Sequence, residues 1–345
     1  MKRIIIIFAA VAALTVSCKK DETQNVDNTA QAARFNAWIR VNHPNAPRTT
    51  LGSYVISEKK GNGGRVGDAT ENLYVQLEYT RAQLSGQITG YTSSDIAKQL
   101  NAYDSTHFYG PRIINRASSQ NITGLEESLC EMNIGGSRKL AIPGWLTSYP
   151  SYATEEEYFK KVSGTDVIFE FTVRDAFNDV NEWECSQIEK YILEQGLPLE
   201  KFTRDTTGFY YLTTSSPEIG KEFNDDDTFT IHYTGARLDG QVFDSSVRKT
   251  YVDAGLNPAG KEFKPVTITY NKESDKVKFG SGSAIKGFSM ALSKMRPGEN
   301  VTVIFMSALG YSSQGGSDSG LIPAYCPLRF DIRMTDYTLK SETTE

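Results

Sequence analysis

Phe243-Asp244 sets an aromatic ring beside a carboxylate, and the stretches at 231–246, 280–295 and 320–334 add Tyr233, Ile285, Phe288, Ile322 and Phe330 to the pair. A Gly/Ser-rich loop ahead of the last stretch carries Tyr311. Together these side chains could line an apolar basin with one carboxylate at its edge. The chain offers nothing for covalent work, because His43, His107 and His232 are scattered and no nucleophile–base arrangement surrounds them. Cys130, Cys185 and Cys326 have none of the spacings of a metal site, so no metal or cofactor is expected. Taken singly, Phe243, Phe288 and Phe330 are ordinary core residues and Asp244 an ordinary turn residue. Only the set suggests a site.

The elements that must hold these residues follow from the apolar pattern. Phe229, Ile231 and Tyr233 alternate, a turn falls at Leu238-Asp239-Gly240, and Val242 resumes the pattern, which predicts an antiparallel hairpin. Ile285, Phe288, Leu292 and Met295 form one stripe of a helix that Pro297-Gly298 stops. A strand is expected at 301–306 and another through Leu328, Phe330, Ile332 and Met334. Strands wrapped on one short helix make an α+β domain.

In this order the motifs resemble the FKBP-type peptidyl-prolyl cis-trans isomerases, over roughly residues 206–338. They are Tyr233-Thr234-Gly235, Asp239-Gly240, Phe243-Asp244-Ser245-Ser246, Ile285-Lys286-Gly287-Phe288, Ile322-Pro323 and Leu328-Arg329-Phe330. The resemblance implies an isomerase pocket with Tyr233, Phe243 and Phe330 as walls, Phe288 as floor and Ile285 as the contact at the helix start. It implies that Asp244 and the Tyr311 hydroxyl orient the substrate backbone while Ile322 closes one side. It further implies X-Pro polypeptides as substrates and tacrolimus-type macrolides as ligands. Phe288 stands where the family often has tryptophan, and Leu309-Gly310-Tyr311-Ser312 replaces its common alanine-tyrosine-glycine. Residues 247–278 are longer than the family's usual connection, with 266–279 expected as an extra or extended hairpin beside the pocket.

The 345 residues leave room for about two domains. A net charge of −5 without long Lys/Arg runs argues against a nucleic-acid partner. Residues 1–17 combine Lys2-Arg3 with an apolar run from Ile4 to Val16, the pattern of a cleaved secretory signal. Leu14-Thr15-Val16-Ser17-Cys18 resembles a bacterial lipoprotein signal, which implies lipidation of Cys18. Lys19-Lys20-Asp21-Glu22 is similar to the charged tags of Bacteroides-group outer-membrane lipoproteins. The expected location is therefore the outer membrane, lipid-anchored, facing the periplasm or the cell surface. Residues 18–33 are polar and read as a flexible tether. An odd number of cysteines after Cys18 allows at most one internal bridge, and each is expected to be a small buried hydrophobe. The aspartates at 225–227 read as a solvated turn.

The first half repeats the second. Tyr79-Thr80, Ala82, Leu84 and Gly86-Gln87 fall on Tyr233-Thr234, Ala236, Leu238 and Gly240-Gln241. Ile122, Gly124, Leu125, Leu129, Met132 and Gly135 fall on Ile285, Gly287, Phe288, Leu292, Met295 and Gly298, and Phe169-Glu170 falls on Phe330-Asp331. The expected organisation is a degenerate FKBP-like domain at 34–177, a helical, semi-rigid linker at 178–205, an FKBP-type domain at 206–339 and a polar tail at 340–345. Thr89-Gly90 occupies the place of Phe243-Asp244, and the charged segment 154–164, expected as a short helix, replaces the isoleucine-proline loop. Tyr149 is a loose counterpart of Tyr311. The first domain is thus expected to lack catalysis. Three functions compete: a lipid-anchored isomerase assisting the folding of exported proteins, a catalytically weak lipoprotein that binds peptides or partners, and a structural lipoprotein subunit of an outer-membrane assembly that uses neither pocket.

Overall fold

Every second residue from Phe229 to Arg237 is buried, the period of a strand with one face on a core. The computed structural model describes residues 26–118, 121–147, 152–316 and 320–340. Its first half opens with α1 (Thr29–Asn42) and β1 (Tyr54–Lys59), followed by the hairpin β2 (Tyr74–Gln83) and β3 (Ile88–Tyr91). α2 (Ser94–Gln99), β4 (Arg112–Asn115), α3 (Thr123–Leu129), β5 (Ser137–Ile142), α4 (Glu155–Lys161) and β6 (Val167–Phe177) complete it. The antiparallel sheet runs β1-β5-β6-β2-β3, with β4 also on β2. Leu125 and Leu129 of α3 share one core with Val75, Leu77, Leu140 and Phe171 of the sheet.

After α5 (Val180–Glu194) the second half builds β7 (Thr203–Arg204), β8 (Phe209–Ser215), the hairpin β9 (Thr228–Arg237) and β10 (Val242–Ser245), and α6 (Arg248–Asp253). β11 (Val266–Thr269), β12 (Lys278–Phe279), α7 (Lys286–Lys294), β13 (Asn300–Phe305) and β14 (Leu328–Thr338) follow. The order is β12-β11-β9-β14-β13-β8-β7, with β10 also on β9. α7 buries Phe288, Ala291 and Leu292, and Gly287 lies so close to Phe305 that a Cβ there would stand 2.6 Å from its ring. The expected α+β architecture is present: two antiparallel sheets, each wrapped on a short helix, joined by a helix.

The two sheets repeat each other in register as well as order. β9 and β14 pair Tyr233 with Ile332 and Gly235 with Phe330, where β2 and β6 pair Tyr79 with Phe171 and Arg81 with Phe169. Both pairings carry a bulge at the same step, its extra residue being Thr335 in one and Arg174 in the other. The hairpins share a bulge too, at Phe243 and at Thr89. Their turns use Gly240 at φ +91° and Gly86 at φ +89°, conformations that glycine adopts without a Cβ clash.

Several expectations change. The tether of 18–33 ends early, because α1 starts at Thr29 and the buried Asn28 amide donates 2.7 Å hydrogen bonds to the Phe159 and Val162 carbonyls. A polar residue anchors it, so hydropathy gave no warning. The linker is more than a spacer: Ile188 and Ile192 are fully buried against Tyr210, Leu212, Ile304 and Met306 on the outer face of the second sheet. The second sheet also begins before residue 206, at Thr203 of β7. The hairpin expected at 266–279 is present as β11 and β12, but β11 also pairs directly with β9, as β4 does with β2, so the hairpin belongs to the sheet and the insertion proper is α6 with the loop after it. Asp227 is buried, accepting 2.7 Å and 2.9 Å hydrogen bonds from the Asn224 and Lys340 amides, and is no solvated turn residue. Cys130, Cys185 and Cys326 are free and half-buried. The signal segment, Cys18, Tyr149 and residues 341–345 lie outside the described residues.

α5 also ties the halves together. Trp183 stacks on Phe177 at 4.9 Å and donates to Asp175 at 2.9 Å. At the next residue, the buried Glu184 carboxylate accepts from the Ser307 amide at 2.5 Å and hydroxyl at 2.6 Å. Direct contacts add to this clamp: the Phe108 amide donates to the Gly320 carbonyl at 2.9 Å, and the Arg237 guanidinium covers the Phe108 ring at 5.2 Å.

Candidate functional site

Four elements and one loop converge below the second hairpin. β9 supplies Tyr233, the bulge in β10 supplies Phe243 and Asp244, the start of α7 supplies Ile285 and Phe288, and β14 supplies Phe330. The loop after β13 supplies Tyr311 and Ile322. All eight line one cavity of about 480 Å³. Gly235 makes room for it, since a Cβ there would meet the Phe243 and Phe330 rings at 2.7 Å. Phe288 touches Phe330 at 4.7 Å and Tyr233 at 5.4 Å, Phe243 meets Phe330 edge-on at 5.5 Å, and Phe305 backs Phe330 at 5.7 Å. Contacts of this kind add roughly 0.5–1.5 kcal/mol each beyond area burial. They hold the basin rigid.

The polar side chains of the described lining are Asp244, Ser283 and the hydroxyls of Tyr233, Tyr251 and Tyr311. The Tyr233 hydroxyl donates to Asp244 Oδ2 at 2.7 Å, and Lys261 Nζ donates to Oδ1 at 2.5 Å. Burial, and after it the Asp244 charge, push the Tyr233 and Tyr311 hydroxyls above the ordinary tyrosine range. Both stay protonated donors. Ile285 caps the N-terminus of α7, where backbone N–H groups lack intrahelical acceptors and can meet a carbonyl oxygen.

Sequence reasoning missed three groups here: Phe279, Tyr251 and Lys261. Phe279 of β12 packs edge-on against Tyr233 and Phe288, each at 5.5 Å. Its place in the expected hairpin could have pointed to it. Tyr251 of α6 lines the cavity, and Lys261 lies 5.0 Å over its ring. Both belong to the insertion, and no periodicity ties them to Asp244.

Fold and cavity together define a two-domain α+β protein whose second domain carries an aromatic cavity with one carboxylate at its edge. Residues 220–335 match the family described as FKBP-type peptidyl-prolyl cis-trans isomerase. The FK506-binding protein 1 of Candida glabrata is 32% identical over 120 residues, which are 34% of this chain and 84% of that protein. The macrophage infectivity potentiator of Trypanosoma cruzi is 34% identical over 109 residues, 32% of this chain, and the chain spans only 42% of its length. The crystal structure of FkpA from Escherichia coli aligns with 46% of this chain and 60% of its own at 21% identity and a TM-score of 0.31. The chain belongs to the FKBP-type peptidyl-prolyl cis-trans isomerase family, and its C-terminal region is the family's domain.

Proposed function

We propose that the second domain isomerises X-Pro amides of exported polypeptides and that the first is a non-catalytic companion. The reaction breaks no covalent bond but must twist an amide against a barrier of roughly 18–20 kcal/mol. A pocket lowers that barrier by seating the proline ring, removing water from the amide carbonyl and favouring the twisted form over both planar ones. Tyr233, Phe243, Phe288 and Phe330 would seat the ring, with Ile322 closing one side. Asp244, the Tyr311 hydroxyl and the amide at Ile285 would orient the backbone. The observation that carries this reading is the convergence of all eight side chains on one cavity in a family domain.

The test is cis-trans exchange of an Ala-Leu-Pro-Phe peptide. Acceleration by the wild type is expected, with Phe243→Ala and Asp244→Ala slower by about tenfold or more, or roughly 1.4 kcal/mol. No acceleration by the wild type would sink the assignment. The first domain's Thr89-Gly90 removes the pocket aromatic and the carboxylate, so its isolated form should give no acceleration. A macrolide of the tacrolimus type should compete for the second-domain cavity.

Lys261 favours a second reading. By occupying Asp244 Oδ1 it leaves the carboxylate less free for substrate, which suits a slow pocket that mainly grips peptide. Tight binding of an X-Pro peptide without turnover would select it. Anchoring through Cys18 to the outer membrane, facing the periplasm or the cell surface, is part of the proposal. It predicts a lipid-modified N-terminus by mass spectrometry and release of Cys18→Ala from the membrane fraction.

A further inference from the structure

The first domain keeps a cavity where the second has its basin, and its charge is reversed. Tyr79, Ile122, Leu125 and Phe169 stand at the places of Tyr233, Ile285, Phe288 and Phe330, and all four line a cavity of about 680 Å³. Tyr79 and Phe169 still stack at 5.2 Å. Arg81 holds the position of Gly235, whose missing Cβ points at the Phe243 and Phe330 rings. Its guanidinium therefore enters the space that the second copy fills with Phe243, while Gly90 replaces Asp244.

Two cations face this space without a counter-charge. Arg81 Nε is buried and has no hydrogen-bond partner. Arg112, also in the lining, stacks on Phe108 at 4.8 Å and donates only to the Phe108 carbonyl, at 2.9 Å. Neither joins an ion pair among the described residues. Burial, and less strongly the Arg237 charge, hold the Arg112 guanidinium below its usual value. Glu126 is the sole acidic side chain of the described lining, and Arg116 already takes it, at 2.8 Å and 2.5 Å. Both guanidiniums are half-buried, and a partly desolvated cation without a counter-charge is costly, so this lining favours an anion.

We propose that the first-domain cavity binds a carboxylate carried by a polypeptide, with Arg81 and Arg112 as its cationic partners. A small inorganic ion would leave most of the volume and the apolar floor of Ile122, Leu125 and Phe169 unfilled. A peptide with an apolar side chain beside its carboxylate fills both, and guanidinium–carboxylate pairing supplies the orientation. Gln314 and Tyr325 wall the cavity from the second domain, so a bound peptide would touch both domains. The proposal stands independently of whether the second domain catalyses isomerisation.

The test is calorimetric titration of the full chain with proline-free probes, which avoid the second-domain basin. They are acetyl-Gly-Phe-Glu-Leu-Gly-amide, acetyl-Gly-Phe-Gln-Leu-Gly with a free C-terminus, its amidated neutral form, and inorganic phosphate. Binding by the first identifies an acidic side chain as the ligand group, and binding by the second a chain terminus. Either should exceed the neutral peptide by about tenfold or more, the scale of a charge-assisted pair. Arg81→Gln and, separately, Arg112→Gln should remove that excess while the melting temperature holds, and Arg81→Lys should restore part of it. Equal binding of charged and neutral peptides, no binding of either charged peptide, or an excess untouched by both glutamine variants overturns the proposal. So does phosphate binding as tightly as the peptides, which would assign a plain anion site.

Discussion

Lys261 and Asp244 set how free the carboxylate is for a ligand. Their side chains are 27% and 35% exposed, a setting in which an ion pair contributes about 0.2–1 kcal/mol and weakens with salt. Lys261→Met is therefore expected to raise kcat/KM on an X-Pro peptide by about two- to fivefold at low salt, with a smaller gap at high salt. A drop in kcat/KM would mean that the lysine holds Asp244 in its working position. Tyr233 and Tyr311 lead to a pH expectation. Their hydroxyls titrate above the ordinary value of 10.0, so their neutral donor forms persist through that value and activity should show no loss there from their ionisation. A rate falling through pH 9–10 in the wild type but not in Tyr311→Phe would contradict this. Seven of the eight pocket residues were legible because each occupies a fixed place in a short motif, and Tyr311 was placed by its loop although the segment around it departs from the family's. Lys261 was not, since a loop's path in three dimensions brings it to Asp244, and that path leaves no trace in spacing or period.

One close fit lies between α7 and β13. A Cβ on Gly287 would stand 2.6 Å from the Phe305 ring, which in turn backs Phe330. Gly287→Ala is expected to lose about 1–3 kcal/mol by overpacking, read as a lower urea midpoint, and to slow isomerisation by displacing Phe330. Unchanged stability would show that the helix can retreat without cost. The two hairpins and the helices α3, α4, α5 and α7 could be anticipated because apolar period and glycine turns are local signals, whereas α1, α2, α6 and the bulges were not. The docking of 26–28, the burial of Asp227 and the packing of α5 could not. Each depends on a polar or amphipathic segment finding a particular partner far along the chain, which local pattern does not encode.

At the scale of the molecule α5 is the joint. Burial raises the Glu184 carboxyl above its ordinary 4.5, against the opposing effect of its Ser307 hydrogen bonds. The folded state then holds that proton more tightly than the unfolded chain, so the stability it contributes is full below 4.5 and lost as pH rises through the folded value. Relative to Glu184→Gln, the wild-type urea midpoint should decline above pH 4.5, and a gap that widens in the wild type's favour would reverse the sign. Ile188→Ala should cost about 2–5 kcal/mol, because its side chain is fully enclosed between helix and sheet. The same helix has a consequence for the order in which the chain becomes structured. In synthesis from the N-terminus, Ile188 and Ile192 emerge directly after the first sheet is complete, yet Ile304 and Met306, which help cover them, come more than a hundred residues later. For that interval a finished domain carries a bare apolar stripe, so the nascent protein is itself a candidate for chaperone capture, with a long loop to close before its joint can set.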